Sequence, residues 1–109
     1  KTVPVIDDVL NFAMTLVSIS HPELPNTSET ARKYIKYGVS PRAGQALITA
    51  AKVRALINGN FNVSIEDIET LAYPVLRHRI KINYTAINEH LSVDDVIGLL
   101  ISETKRYCK

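Results

Sequence analysis

The sequence of 109 residues is poor in cysteine: Cys108, next to last, is its only one. That excludes a disulfide framework and a cysteine-built metal cluster, and it fits a reducing compartment such as the cytoplasm. No apolar run reaches the ~18 residues that suggest a membrane span. No basic start leads into an unbroken apolar core and a small-residue cleavage site, so no signal peptide is read. An excess of either charge is also lacking. Thirteen Lys and Arg nearly balance eleven Asp and Glu, and a net charge of +2 gives no strong reason to expect nucleic acid or an acidic membrane as partner. The phosphate-loop pattern GxxxxGK[ST] is missing, as are HExxH and GxSxG. His21, His78 and His90 are scattered, and none is paired at i+4 with another ligand, so no metal site is expected. No stretch alternates convincingly as a strand, and there is no internal repeat.

What is present is an ordinary globular composition, 46% hydrophobic and 22% charged, enough for one domain. The first residue is Lys1 rather than Met, so residues 1–109 are expected to be one domain cut from a longer protein. Ile6, Val9, Leu10, Ala13, Leu16 and Val17 follow helical spacing, with Pro4 before them and Asp7 and Asp8 in the first turn, which predicts a helix ending near Ser20. The prolines and hydroxyls of residues 21–30 predict a loop. Residues 31–37 read equally as a short helix or an extended segment, stopped by Gly38.

The clearest helix opens at Ser40, a good N-cap, with Pro41 at its first position, and runs to about Asn58, where Asn58-Gly59-Asn60 is a stop signal. At 100° per residue Arg42, Gln45, Thr49 and Lys52 share one polar stripe. Ala43, Ala46, Leu47, Ala50, Ala51, Val53 and Ile57 fill most of the remainder, and with Gly44 they predict a central helix that other backbones approach closely. Ser64 with Asp67 resembles a capping box, opening a helix with Ile65, Ile68, Leu71 and Ala72 on its apolar side. Pro74 predicts a break near Tyr73, with a second short helix over Val75–Ile80. Residues 81–90 read as a connector. Ser92 with Asp95 repeats the capping signature before a last helix carrying Val93, Val96, Ile97 and Leu100. The fold class is therefore all-α, a small helical bundle.

The carboxylate pairs Asp7–Asp8, Glu66–Asp67 and Asp94–Asp95 all fall in first turns of helices, where capping and the helix dipole account for them without acid–base chemistry. Arg77, His78, Arg79 and Lys81 make a basic cluster that a solvated helix end explains, since cations are favourable at a helix C-terminus. Arg42 is different. It stands in the first turn of its helix, where the backbone end is already partly positive. Two explanations are open: a nearby carboxylate within the chain, or an external anion such as phosphate, gripped by the guanidinium beside the helix N-terminus.

Residues 37–56, YGVSPRAGQALITAAKVRAL, resemble the G-A-S-P-R-A stretch and alanine-rich helix in the C-terminal lid domain of MoxR-type AAA+ ATPases, the group related to the ATPase subunit of magnesium chelatase. Residues 63–80, VSIEDIETLAYPVLRHRI, resemble the V-x-x-E-D helix and V-L-R-H-R of the same lid, in the same order and at matching spacing. Val39 replaces a frequent alanine. The resemblance implies that Arg42 is the sensor-2 arginine, supported by Ser40 and Pro41 and reaching toward the γ-phosphate of ATP. It implies that ATP and magnesium are held mainly by a core domain preceding Lys1, and that this lid alone has no catalytic residue. It also implies contacts with that core and with neighbouring subunits in a hexameric ring, with Arg77, His78 and Arg79 at such an interface. A chaperone-like role, often toward proteins bearing a von Willebrand A domain, goes with it.

The readings from another class are a helical DNA-binding module and a plain protein-interaction module with no nucleotide role. Short capped helices and the basic cluster allow the first. The near-neutral charge and the absence of a helix face made mainly of Arg, Lys, Asn and Gln speak against it.

Overall fold

The computed structural model describes residues 4–25 and 27–108. Lys1, and Asn26 of the expected loop, lie outside the described residues. Six helices and one two-stranded ribbon follow in order: α1 (Asp7–Ser18), α2 (Glu29–Tyr34), β1 (Ile35–Tyr37), α3 (Pro41–Ile57), α4 (Ile65–Leu76), β2 (Lys81–Ile82), α5 (Tyr84–Asn88) and α6 (Val93–Tyr107). The fold is a helical bundle, as its periodicities predict.

α3 is central. It packs most extensively against α4 and also against α1, while α6 lies against α1, α2 and α4. One core runs through these contacts, with Phe12 and Leu16 of α1, Leu47 of α3, Ile68 and Leu76 of α4, and Ile97 and Leu100 of α6 all inaccessible or nearly so. Gly44 is what brings α1 close: a Cβ there would lie 2.8 Å from Met14 Cε and 3.1 Å from Val17 Cγ2. The small-residue expectation for α3 therefore holds at its N-terminal half. Further along, Ala51 and Ala55 are buried as well, but the larger Val53 and Ile57 are exposed, together with Leu56 and Phe61. Ile6, the N-cap of α1, and Leu10 on the helix are likewise exposed, and Phe12 takes a core position.

α3 ends as the Asn-Gly-Asn signal predicts. Gly59 adopts φ +73°, and the N–H groups of Asn60 and Gly59 donate to the Ala55 and Leu56 carbonyls in a Schellman closure. Both capping boxes form, Ser64 with Asp67 and Ser92 with Asp95.

Three local expectations are corrected. Residues 31–37 are both helix and strand, because α2 runs into β1. β1 then pairs antiparallel with β2, Ile35 opposite Ile82 and Tyr37 opposite Lys81. α4 does not break at Pro74 but continues to Leu76. Thr70, whose carbonyl loses its i+4 donor there, is exposed like Pro74, so solvent can serve that group. The segment after Leu76 is consequently a turn rather than a second helix. The expected connector contains β2 and the short α5, whose N-cap Asn83 accepts from the Ala86 N–H.

Two charged side chains tie the helices together. Glu103 of α6 is buried, and its carboxylate accepts from the N–H groups of Glu29 (3.2 Å) and Thr30 (2.9 Å), capping α2 from outside. Asp67 is fully buried. It closes the Ser64 capping box and also receives the guanidinium of Arg54 from α3. Burial pushes the Asp67 carboxyl up, but the bonds from the Ser64 backbone, the Arg54 guanidinium and the Ser64 hydroxyl outweigh it and hold the group below its ordinary value. Because the folded-state value is lowered, this stabilisation is complete above the ordinary carboxylate range and fades as pH falls through the folded value. Asp67→Asn is expected to lower stability at neutral pH by about 2 kcal/mol, allowing for the partial solvent access of Arg54. The same substitution should flatten the acid limb of the stability–pH curve, measured by denaturant melts between about pH 2 and 6.

Candidate functional site

The Arg54–Asp67 pair joins the C-terminal half of α3 to the first turn of α4, so the two helices form an antiparallel hairpin. Arg42 lies twelve residues before Arg54, and Arg79 twelve after Asp67, which brings both to the same end of that hairpin. The C-terminus of α1 joins them there, since Met14 and Val17 pack on Gly44. The sequence-predicted residues Ser40, Pro41, Arg42, Arg77, His78 and Arg79 thus share one end of the molecule. No hydrogen bond or ion pair links the first three to the last three among the described residues.

Arg42 occupies the second position of α3, behind Pro41 at the first. Its side chain is exposed, and among the described residues it has neither an ion-pair partner nor a hydrogen bond. Of the two explanations for a cation at this helix start, an internal carboxylate therefore finds no support within the described residues. The polar stripe holds: Gln45 and Thr49 are exposed and Lys52 half-buried. Ser40 sits at the N-cap with extended backbone, but its hydroxyl makes no cap bond, whereas Ser28, Ser64, Ser92 and Asn83 each accept from their helices. The first turn of α3 also carries no acidic residue. The positive end of α3 is left without local neutralisation, which favours an anion from elsewhere.

The other cluster is engaged within the fold. Arg77 Nε and Nη2 donate to the two oxygens of Asp94 at 2.8 and 3.0 Å, a two-pronged pair joining the end of α4 to the start of α6. The Asp94 carboxyl is held below its ordinary value chiefly by that hydrogen bond. Arg79 Nη1 donates to the Val75 carbonyl at 2.6 Å and so covers an open end of α4. His78 is exposed in the same turn, without a bonded partner among the described residues. An unpartnered basic patch is therefore a description that His78 meets and the two arginines do not.

The segment leading into α3 is held on several sides. Gly38 lies so close to the end of α1 that a Cβ would sit 2.4 Å from the Ser20 carbonyl oxygen. Val39 is buried, and its N–H donates to Ser20 Oγ at 3.1 Å, while the Ser20 hydroxyl donates to the Val17 carbonyl at 2.7 Å. His21 Nε2 donates to the Val39 carbonyl, and its Nδ1 lies 3.0 Å from Glu23 Oε2. The bonds that His21 and Ser20 make to Val39 were not singled out by sequence, because they span 18 and 19 residues and obey no local periodicity.

A sequence profile of the AAA lid domain family matches residues 27–98. The chain belongs to the AAA lid domain family. Within it, the chain is of the MoxR type. It is 33% identical over 70 residues to chaperone MoxR1 of Mycobacterium tuberculosis (strain ATCC 25618 / H37Rv), a match covering 64% of this chain and 19% of that protein. A crystal structure of a candidate ATPase from Cytophaga hutchinsonii ATCC 33406 superposes with a TM-score of 0.80 at 32% identity, covering 92% of this chain and 30% of that one. The lid thus spans less than a third of either relative. Among the described residues no helix is long and apolar enough to cross a membrane. No three His, Cys, Asp or Glu side chains gather among them as a metal site would need.

Two substitutions separate the architecture of this lid end from its free charge. Arg42→Ala is expected to change the stability of the 109-residue domain by no more than about 0.5 kcal/mol, as at a surface site without partners. Gly38→Ala should cost about 1–3 kcal/mol, because an added methyl must displace the Ser20 backbone. Thermal or urea melts of both variants beside the parent sequence check this contrast.

Proposed function

We propose that this chain is the C-terminal lid of a MoxR-type AAA+ ATPase with a chaperone-like role, and that Arg42 is its sensor-2 arginine. The observation that carries the reading is the exposed guanidinium at an unneutralised helix N-terminus, without a partner among the described residues, whereas Arg54, Arg77 and Arg79 have carboxylate or carbonyl partners. Arg42 reaches the γ-phosphate of ATP held by an AAA+ core domain, that of its own subunit or that of a neighbour. That core supplies the phosphate loop and the magnesium ligands, and magnesium neutralises phosphate charge there. Arg42 suits a phosphate edge: its planar fork of N–H donors matches two oxygens, and the α3 N-terminus adds the favourable end of a dipole.

The role is electrostatic. A fixed cation facing the oxygens that gain charge during transfer stabilises the transition state more than the ground state. Loss of the γ-phosphate removes its partner, so nucleotide state biases the lid's position against the core. The parent acts in the cytoplasm as a ring of six, with this lid touching its own core and a neighbour's. Its clients include proteins carrying a von Willebrand A domain. The turn of Arg77, His78 and Arg79, at the same end of the hairpin, faces that interface through His78, while Arg77 holds α4 to α6 and Arg79 closes the end of α4.

The isolated domain is expected to show no ATP turnover above a protein-free control, since one arginine and a helix end cannot replace a phosphate loop and magnesium ligands. In the full-length protein Arg42→Ala should lower kcat by about 100-fold, near 3 kcal/mol of transition-state stabilisation. Arg42→Lys should recover part of it, keeping the charge without the fork. Wild-type turnover by Arg42→Ala, in protein with unchanged assembly, contradicts the assignment.

A further inference from the structure

The structure points to His21 as a positioning residue for Arg42: we propose that its imidazole, bonded to the Val39 carbonyl, fixes where the Arg42 guanidinium meets phosphate. This rests on the sensor reading of Arg42.

The geometry leaves little play between the two. Val39 is anchored at its side chain by the core, at its N–H by Ser20 and at its carbonyl by His21. Only Ser40 and Pro41 separate that anchor from Arg42. Ser40 is extended, at φ −75° and ψ 163°, and the Pro41 ring fixes its own φ. The backbone of Arg42 is therefore set by how firmly Val39 is held. Glu23 Oε2 in turn lies 3.0 Å from Nδ1, and because Nε2 donates to the Val39 carbonyl, this carboxylate orients the ring when both ring nitrogens carry a proton.

The fold itself has modest use for this imidazole. The His21 side chain keeps 24% of its accessibility and is not part of the hydrophobic core. The core side chain of Val39, the Ser20 hydroxyl and the Gly38 contact already hold the segment to α1. What His21 adds is a restraint on the last carbonyl before the Ser-Pro-Arg turn. A cation that must meet an oxygen geometry formed only during phosphoryl transfer depends on such a restraint, because displacements of about an ångström lower rates steeply.

The test uses the full-length ATPase with steady-state ATP kinetics, and melting curves on the same preparations. His21→Leu removes the donor at similar size. His21→Gln keeps an N–H at about the reach of Nε2. Glu23→Ala removes the partner of Nδ1 and so loosens the ring's orientation. For His21→Leu, kcat should fall about tenfold with KM changed less than about twofold, the pattern of a lost transition-state contact, while the melting temperature stays near wild type. His21→Gln should recover turnover to within about threefold of wild type, and Glu23→Ala should fall between the two. Arg42→Ala runs alongside. If Arg42→Ala loses turnover and His21→Leu does not, the positioning role is wrong and the sensor reading stands. If His21→Leu loses turnover together with melting temperature and His21→Gln does not restore it, His21 is structural and the proposal is overturned. If Arg42→Ala retains turnover, the sensor reading fails and the positioning role with it.

Discussion

A carboxylate with no access to water must be satisfied on every side, and the α3–α4 hairpin is built around one. Asp67 closes the first turn of α4 and takes the Arg54 guanidinium, so helix start and helix pairing are a single set of bonds. That coupling fixes the hairpin as antiparallel and with it the end of the domain at which Arg42 emerges. α1 is then brought against the start of α3 by the absence of side chains at Gly44 and Gly38. Packed interiors leave no room for an extra methyl at such points, so the entry to α3 is determined by backbone contact rather than by side-chain preference.

Within that frame the cations divide by use. Arg54 pairs with Asp67, Arg77 with Asp94, and Arg79 with the Val75 carbonyl. Arg32 and Arg42 have no such partner among the described residues; Arg32 lies in the last turn of α2, where the helix dipole favours a cation, whereas Arg42 stands where it least does. An arrangement that costs the isolated domain a little stability is what a charge reserved for a second body looks like. On the proposed reading, phosphate on an adjacent domain is the ligand that such a charge would meet.

Much of this was legible in the sequence, for identifiable reasons. Capping is local: Ser64 with Asp67, Ser92 with Asp95 and the Asn-Gly stop of α3 each lie within a few residues, so their chemistry can be read along the chain. The polar stripe through Arg42 and the small residues of α3 follow from a 3.6-residue period. Partner choice was not legible. Arg54 sits between the buried Ala51 and Ala55, a sign that it needs a carboxylate, but nothing local names Asp67. α5 has five residues and one buried side chain, too few to set a period. β1 and β2 are too short to alternate, and they pair across more than forty intervening residues. Pro74 misled because a helix interior tolerates proline where the orphaned carbonyl faces solvent. The turn of Arg77 and Arg79 read as spare charge because Asp94 becomes the partner of Arg77 only once α4 and α6 meet, and because the Val75 carbonyl that Arg79 covers is left open only by where α4 ends.

The central claim, that Arg42 meets a γ-phosphate, is tested most directly by nucleotide discrimination in the full-length protein under non-hydrolysing conditions. The ratio of affinities for a non-hydrolysable ATP analogue and for ADP is measured by titration calorimetry for wild type and Arg42→Ala. A charge-assisted hydrogen bond to the terminal phosphate is worth about 1.5–3 kcal/mol, so the ratio should fall by about tenfold or more, through weaker binding of the analogue with ADP affinity little changed. An unchanged ratio, or equal weakening of both nucleotides, would contradict the account.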